Sequence, residues 1–219
     1  YGNEGECLSA FKSENVIFRN NTCYHNSIRP KPGIIGTDQS AELVFFSNRN
    51  WIVNNVVVAG TYTDHGVSKD RQALHHYDSA VYAATDYSTT IERNNVLRSS
   101  NASPVCWGGG TCGTIATYAS QLAAYGFGVN DISSDPLFVN APTDLRVQAA
   151  SPIVNSGETQ FITTRYRDGS QRVANTLGSE PAIASGATAT PTASVTPTTT
   201  PTEPAATRTP TPTLTPTIT

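Results

Sequence analysis

The sequence feature that most constrains the fold is an asparagine pair that recurs behind short apolar segments. The three pairs, Asn20-Asn21, Asn54-Asn55 and Asn94-Asn95, occur in IFRNNTCY, WIVNNVVV and IERNNVLR. Their first members are 34 and then 40 residues apart, within the range of about 20–50 residues over which stacked supersecondary units repeat. The unequal steps indicate similar strands joined by loops of different length.

The residues around each pair predict a bend between two strands. An apolar residue lies three positions before the first asparagine, and an apolar residue or a cysteine lies three positions after it. These residues are Ile17, Trp51 and Ile91 before the pairs, and Cys23, Val57 and Leu97 after them. Asparagine suits a bend because it tolerates left-handed backbone angles and its amide can bond nearby main chain. Phe18 and Ile52 alternate with the asparagines, whereas Glu92 does not fit that face, so the register is defined only to within one residue.

If the bends of successive units stack, each asparagine amide can donate to the next and form a ladder. A ladder explains why a polar pair recurs between apolar strands, and it favours a solenoid. The alternative is an antiparallel sandwich with ordinary asparagine-rich turns.

The rest of the folded part is typical of a β-dominated chain. Short segments rich in Val, Ile, Phe, Tyr and Thr are bounded by Asn, Ser, Asp and Gly. Only residues 113–127, GTIATYASQLAAYGF, predict one short helix.

Two sets of segments resemble a known family, the right-handed parallel β-helix proteins of the pectate-lyase-like superfold. NVIFRNNTCYHN and AELVFFSNRNWIVNNVVVA are similar to its recurring coil. DISSDPLFVNAPTDLRVQAASPIVNSG, residues 131–157, is similar to the closing segment of many secreted bacterial β-helix proteins, although QRVANTLGSEP, residues 171–181, departs from their usual ending. The resemblance covers residues 1 to about 180 and implies the C-terminal half of such a β-helix, with its N-terminal coils missing.

The closing segment also has a physical role in a solenoid, whose last coil would otherwise expose a sheet edge. Pro136, Pro142 and Pro152 cannot donate to a further strand, so this segment is predicted to end the stack.

The predicted organisation is one all-β domain and a tail. Residues 1–185 are assigned to the right-handed parallel β-helix and its cap, and residues 186–219 to a Thr/Pro-rich disordered linker or stalk. Because the chain begins at Tyr1, we interpret it as a fragment without its true start. The formal net charge is −3, and the Lys and Arg residues do not form the basic stripe that nucleic-acid binding requires. The sequence contains no window of 18 apolar residues, so no membrane span is predicted. We expect a monomer.

The four cysteines favour an oxidising compartment and hence a secreted or cell-surface protein. Cys106 and Cys112 bracket the glycine-rich loop CWGGGTC and are predicted to pair. Cys7 and Cys23 would form the second disulfide and tie neighbouring turns together. The alternative is four buried thiols in a cytosolic protein.

The resemblance implies a role on polysaccharides, which lie along a groove of one parallel sheet in this superfold. Its lyases use Lys or Arg as the base, often with Ca²⁺ held by Asp and Glu, and its hydrolases use paired carboxylates. The densest ionisable stretch of this chain is residues 61–80, TYTDHGVSKDRQALHHYDSA, in the longer interval between two asparagine pairs. Loops on a rigid scaffold are where binding residues concentrate.

The candidate residues follow from that chemistry. Lys12 and Lys69 are candidate catalytic bases, and a lysine base needs its pKa lowered by burial or by neighbouring cations. The candidate substrate-binding residues are Arg29, Arg71, Tyr62 and Tyr77, and the candidate Ca²⁺ ligands are Glu4, Asp64 and Asp70. A transition-metal site at His65, His75 and His76 is disfavoured, because adjacent residues of a strand point in opposite directions. The alternative is a solvated loop and an exposed turn lysine without specific roles.

Two functional hypotheses follow. The first is a secreted polysaccharide lyase or glycoside hydrolase, which predicts that the candidate side chains converge on one cleft. The second is a non-catalytic glycan-binding or adhesion module on a Thr/Pro stalk, which predicts a groove lined by aromatic residues.

Overall fold

The computed structural model describes residues 6–26, 41–64, 67–77, 89–108, 110–172 and 175–183, with the backbone alone at 11–12, 46–48, 62–64, 67–69 and 77. Strands dominate this part of the chain, and most of them belong to three parallel sheets. The all-β class predicted from the sequence is therefore confirmed. The predicted Thr/Pro tail, residues 186–219, lies outside the described residues.

The first sheet is the largest. It contains the parallel strands β1 (Leu8–Glu14), β4 (Ala41–Asn48), β9 (Gln72–Tyr77) and β12 (Val105–Gly108), and the antiparallel strand β13 (Thr111–Gly113) at one edge. The second sheet consists of β2 (Ile17–Arg19), β5 (Trp51–Val53) and β10 (Ile91–Arg93), and the third of β3 (Thr22–Tyr24), β6 (Val56–Val58) and β11 (Val96–Arg98). The chain therefore passes through the first, second and third sheets in the same order three times.

The strand register confirms the repeat read from the sequence. Ile17 and Ile91 both pair with Trp51, and Cys23 and Leu97 both pair with Val57. Glu92 is in register with Ile52 and is fully buried, so the position that did not fit the pattern is an inward position occupied by a carboxyl group.

The first asparagine of each pair makes the bend between the second and third sheets. Asn20, Asn54 and Asn94 have φ values of 54°, 61° and 55°, in the left-handed region that asparagine tolerates better than most residues. The prediction of a recurring left-handed bend is confirmed.

The second asparagines form the predicted ladder. Asn21 Nδ2 donates to Asn55 Oδ1 at 3.0 Å, and Asn55 Nδ2 donates to Asn95 Oδ1 at 3.0 Å. The backbone N–H groups of Asn21 and Asn55 donate to the same two oxygens, at 3.1 and 3.0 Å. Each buried amide is thus satisfied by the next pass of the chain.

A fourth bend, at Asn130 and Asp131, ends this ladder. Asn130 has φ 59°, and Asp131 Oδ1 accepts the Asn95 N–H at 2.6 Å and Asn95 Nδ2 at 3.3 Å. Because the final member of the ladder only has to accept, an ionised or neutral carboxyl can replace the amide. This bend was not predicted, because the sequence pattern required two asparagines.

Helix α1 (Ile115–Gln121) covers the interior beside the last pass. Thr114 caps it by accepting the Thr117 N–H at 3.1 Å, and Tyr118 on its buried face contacts Trp107 and Phe127 with ring centroids 5.4 and 6.1 Å apart. The short helix predicted within residues 113–127 is confirmed, and a 3₁₀ turn (Ala123–Tyr125) follows it.

Most of the closing segment lies along the third sheet. It contains the hairpin β14 (Phe138–Asn140) and β15 (Asp144–Val147). Val147 and Ile153 of this segment, together with Leu177 farther along the chain, form one buried cluster with the outward valines of β6 and β11. The expectation that this segment ends the stack stays a prediction: Ile132 at its start bridges to Val96 of the edge strand β11, whereas its later apolar side chains cover the outer face of the third sheet.

A strap, residues 154–163, continues from this segment along the row of bends. Asn94 Nδ2 donates to Ser156 O at 3.2 Å, Asn54 exchanges two bonds with the backbone of Glu158 at 2.8 and 3.0 Å, and Asn20 Oδ1 accepts the Thr163 N–H at 3.1 Å. The first asparagine of each pair therefore bends its own pass and holds the strap.

Both predicted disulfides are present, Cys7–Cys23 and Cys106–Cys112. Cys7 directly precedes β1 and Cys23 lies in β3, so this bond closes one pass across its interior. The expectation that it ties neighbouring turns together is corrected. Cys106 and Cys112 lie opposite each other in the antiparallel pair β12–β13.

Replacing Asn55 by alanine is expected to lower the free energy of unfolding by at least about 2 kcal/mol. The substitution removes the acceptor of the Asn21 backbone N–H and the amide donor to Phe18 O, and each group left without a partner costs about 1–3 kcal/mol. Urea denaturation measures the loss. The exposed Asn140, in β14, provides the matched control, and Asn140→Ala should change stability by about 0.5 kcal/mol or less. Equal losses in both variants would contradict a stabilising ladder.

Candidate functional site

A groove lies beside the third sheet, where the closing segment meets the ends of β3 and β11. It encloses about 420 Å³. Among the residues that line it are Tyr24, His25, Arg98, Asp135, Phe138 and Gln148. We call it the third-sheet groove.

Aromatic and planar side chains form one wall of the third-sheet groove. The rings of Tyr24 and His25 stack, with centroids 3.9 Å apart and an angle of 20°, and Phe138 meets Tyr24 edge-on at 5.6 Å and 74°. His25 follows β3 in a left-handed conformation, φ 48°. Gly60 makes room for its ring, since a Cβ on Gly60 would lie 3.0 Å from His25 Cγ. Burial lowers the pKa of His25, so its imidazole is neutral at pH 7.

The opposite wall of the groove carries charge. Arg98 Nη2 lies 3.2 Å from Asp135 Oδ2, and these side chains are 40% and 53% exposed. Gln148 Nε2 donates to Phe138 O at 3.3 Å. The groove thus combines aromatic faces with exposed donors and acceptors, which is the arrangement that small polar ligands require.

A hairpin of β7 (Thr61–Asp64) and β8 (Val67–Asp70) begins at the edge of this groove, three residues after Val58. Its backbone register pairs Tyr62 with Lys69 and Thr61 with Asp70. At its base, Ser100 Oγ donates to Asp70 Oδ1 at 2.7 Å. Four candidate residues from the sequence, Tyr62, Asp64, Lys69 and Asp70, therefore share one hairpin.

The other candidate residues are distributed differently. Lys12 lies in β1 and Tyr77 ends β9, both in the first sheet. Glu4 and Arg29 lie outside the described residues, as do the side chains of Lys12, Tyr62, Asp64, Lys69 and Tyr77. Convergence of these side chains on one cleft stays a prediction.

Arg71 is 2% exposed, within the fold. Its guanidinium contributes to the electrostatics of Glu42, a fully buried carboxyl. The two Glu42 oxygens accept the Asn26 N–H at 2.6 Å and Asn26 Nδ2 at 2.8 Å. Burial raises the pKa of Glu42 to about 7, although the bonds from Asn26 and the charge of Arg71 oppose this rise. The role of Arg71 as a substrate-binding residue stays a prediction.

His75 and His76 belong to different environments of β9. His76 meets Phe45 and Phe127 edge-on, at 5.5 and 5.2 Å, whereas His75 is in register with Val44 and Cys106. Burial lowers the pKa of His75 to about 4 and that of His76 to about 3, so both are neutral at pH 7.

Metal ligands are not gathered in the described ranges. No group of three or more His, Cys, Asp and Glu side chains there is arranged to hold an ion. Of the three candidate Ca²⁺ ligands, only Asp70 has a described side chain, and its Oδ1 accepts the Ser100 hydroxyl. Calcium binding stays a prediction.

The groove residues were not singled out by sequence. Their signals are local and weak: Tyr24-His25 directly follows an asparagine-pair strand, and Asp135 and Phe138 belong to the Asp-Pro-Leu-Phe of the closing segment. Because the sequence predicts an end cap for that segment, it does not predict that its side chains line a site.

No family model, curated protein or solved structure matches this chain. Within the described ranges, no helix has the length and apolar character to cross a membrane. The two disulfides are consistent with an extracellular protein.

The buried Glu42 predicts a loss of stability with rising pH. Its pKa is 4.5 when unfolded and about 7 when folded, so its contribution is complete below pH 4.5 and is lost as the pH rises to about 7. The difference corresponds to about 3 kcal/mol. Urea denaturation between pH 4.5 and 8 should show a shallower decline in Glu42→Gln than in the wild-type protein.

Glu14 is the matched control for this experiment, since it is exposed and pairs with Arg49. The Glu14→Gln variant should keep the wild-type pH dependence. An unchanged decline in Glu42→Gln would show that Glu42 does not titrate in this range.

Proposed function

We propose that this chain is part of a secreted or cell-surface right-handed parallel β-helix protein that binds polysaccharide in the third-sheet groove. The parallel sheets, the repeated order in which the chain visits them and the asparagine ladder support the β-helix. The observation that carries the binding role is the stacked Tyr24–His25 pair beside the exposed Arg98 and Asp135.

Sugar rings present apolar C–H faces and a rim of hydroxyl groups. Aromatic side chains supply large contact area at low cost in conformational entropy, with a polar edge for hydrogen bonding. Arg98 offers donors, Asp135 offers acceptors and Gln148 offers both. The groove therefore has the chemical groups that a short stretch of glycan requires.

Cleavage of the polysaccharide is the second candidate function, and the β7–β8 hairpin favours it. The register of this hairpin pairs the candidate base Lys69 with the candidate substrate-binding Tyr62 at the edge of the groove. A glycan seated in the groove would extend toward these residues. In this interpretation the neutral amine of Lys69 removes the proton next to a uronate carboxylate, the released electron pair forms a C=C bond as the glycosidic C–O bond breaks, and the departing oxygen takes a proton from water.

Replacing Tyr24 by leucine is expected to weaken glycan binding by about two- to tenfold, because stacking on one ring contributes about 0.5–1.5 kcal/mol beyond its apolar area. Leucine retains apolar volume against Phe138. Calorimetry with pectin, alginate and neutral glycans, with and without calcium, identifies the ligand on which the two proteins are then compared.

Tyr125 provides the matched control, since it is 44% exposed and lies outside the groove. The Tyr125→Leu variant should bind as the wild-type protein does. Equal weakening in both variants, or absence of binding to every glycan, would refute the groove as a glycan site. The same incubations, followed for unsaturated products, test cleavage, and no turnover on any acidic glycan would exclude a lyase.

A further inference from the structure

The last bend holds two carboxyl groups against each other in the interior. Glu92 is fully buried, and Asp131 is half-buried with an Oδ2 atom that solvent does not reach. Asp131 stands where the repeat would place another asparagine. An asparagine at this position would place an N–H donor toward Glu92, whereas the Asp131 carboxylate places an acceptor there.

The remaining bonds fix the two carboxyls in this position. Glu92 Oε1 accepts Asn95 Nδ2 at 2.9 Å, and Glu92 Oε2 accepts the Gly128 N–H at 2.8 Å. Asp131 Oδ1 accepts the Asn95 N–H, while Asp131 Oδ2 has no N–H donor within the described residues and interacts with Glu92. Two carboxyl groups can bond each other only when one of them carries a proton.

We propose that one proton shared by Glu92 and Asp131 locks the last bend, residues 127–132, to the preceding pass, and that its release as the pH rises loosens this bend. With both groups ionised, two like charges face each other at low dielectric, and their repulsion opposes the bonds to Asn95 and Gly128. The bend is joined to the second and third sheets by short pairings, since Val129 and Ile132 each form a single bridge.

The described groups around Glu92 and Asp131 do not supply a positive charge to them, so a proton is the means of neutralising one of the two carboxyl groups. The Tyr118 hydroxyl of α1 is near enough to Glu92 to lower its pKa slightly. His76 of β9 packs on Tyr118 and Phe127 and is neutral, since burial lowers its pKa to about 3. Arg93 is engaged with Glu158 in two bonds of 2.7 Å.

The direction of the effect follows from linkage. Burial and the neighbouring carboxyl raise the pKa of Asp131 well above 3.8, and burial raises that of Glu92 above 4.5. The lock is complete below the unfolded values and is lost as the pH rises through the pKa of the folded pair. If opening releases one proton, the opening equilibrium shifts about tenfold per pH unit in that range.

Hydrogen exchange resolved to single amides tests the lock without any substitution. After correction for intrinsic exchange, the protection factors of the Asn95 and Gly128 N–H groups should fall by about tenfold per pH unit between the unfolded pKa values and the pKa of the folded pair, and should level off above it. The Trp51 N–H, which donates to Val16 O at 2.9 Å, serves as the internal control and should change less. Protection at Asn95 and Gly128 that is independent of pH from 4 to 9 would refute the lock.

The Asp131→Asn variant provides the second test. Its amide continues the ladder and can donate to the Glu92 carboxylate, so protection at Asn95 and Gly128 should become independent of pH. Asp168→Asn, at an exposed aspartate, should retain the wild-type dependence. Retention of the slope in Asp131→Asn would overturn the proposal. So would loss of the slope in the wild-type protein on adding calcium, because a metal ion rather than a proton would then hold the pair.

Discussion

Every pass of this chain depends on the bonds that satisfy its buried asparagine amides. An unpaired polar group in the interior costs about 1–3 kcal/mol, and each partner of Asn55 lies one pass away, in Asn21 and Asn95. A slip of one residue would break these bonds and turn each strand over. The ladder therefore fixes the register, and the register determines which side chains face outward. The groove, the hairpin and the strap are all built on those outward positions.

The two members of each asparagine pair form hydrogen bonds with different parts of the chain. The second member bonds inward to the next pass, and the first member bonds outward to the strap, as Asn54 does with both backbone groups of Glu158. Phe161 anchors the strap by packing edge-on against Trp51 at 5.2 Å. The outer side of the bends is therefore covered by chain from far along the sequence, and the third-sheet groove forms where the closing segment lies beside β3 and β11.

The repeat made the bends and the ladder predictable, and the strand register to within one residue, because the same local pattern recurs after 34 and then 40 residues. The groove was not predictable in the same way. Tyr24 and Phe138 are in contact although more than 100 residues separate them, and no local pattern indicates that the closing segment returns to the third sheet. The sequence pattern marks Glu92 as an exception. The reason for a buried carboxyl at this position depends on its partner Asp131, and a pattern that requires two asparagines does not detect Asp131.

The end of the ladder and the wall of the groove belong to one short stretch of chain. Asp131 is bonded to Asn95 immediately before β11, and Asp135 is paired with Arg98 at the end of β11. Between them, Ile132 bridges to Val96 and joins the apolar cluster of the third sheet. The stretch is thus held at both ends by carboxyl groups against a single three-residue strand. Because three residues separate Asp131 from Asp135, the contacts that end the ladder and those that form the charged part of the groove are fixed by the same short stretch of chain.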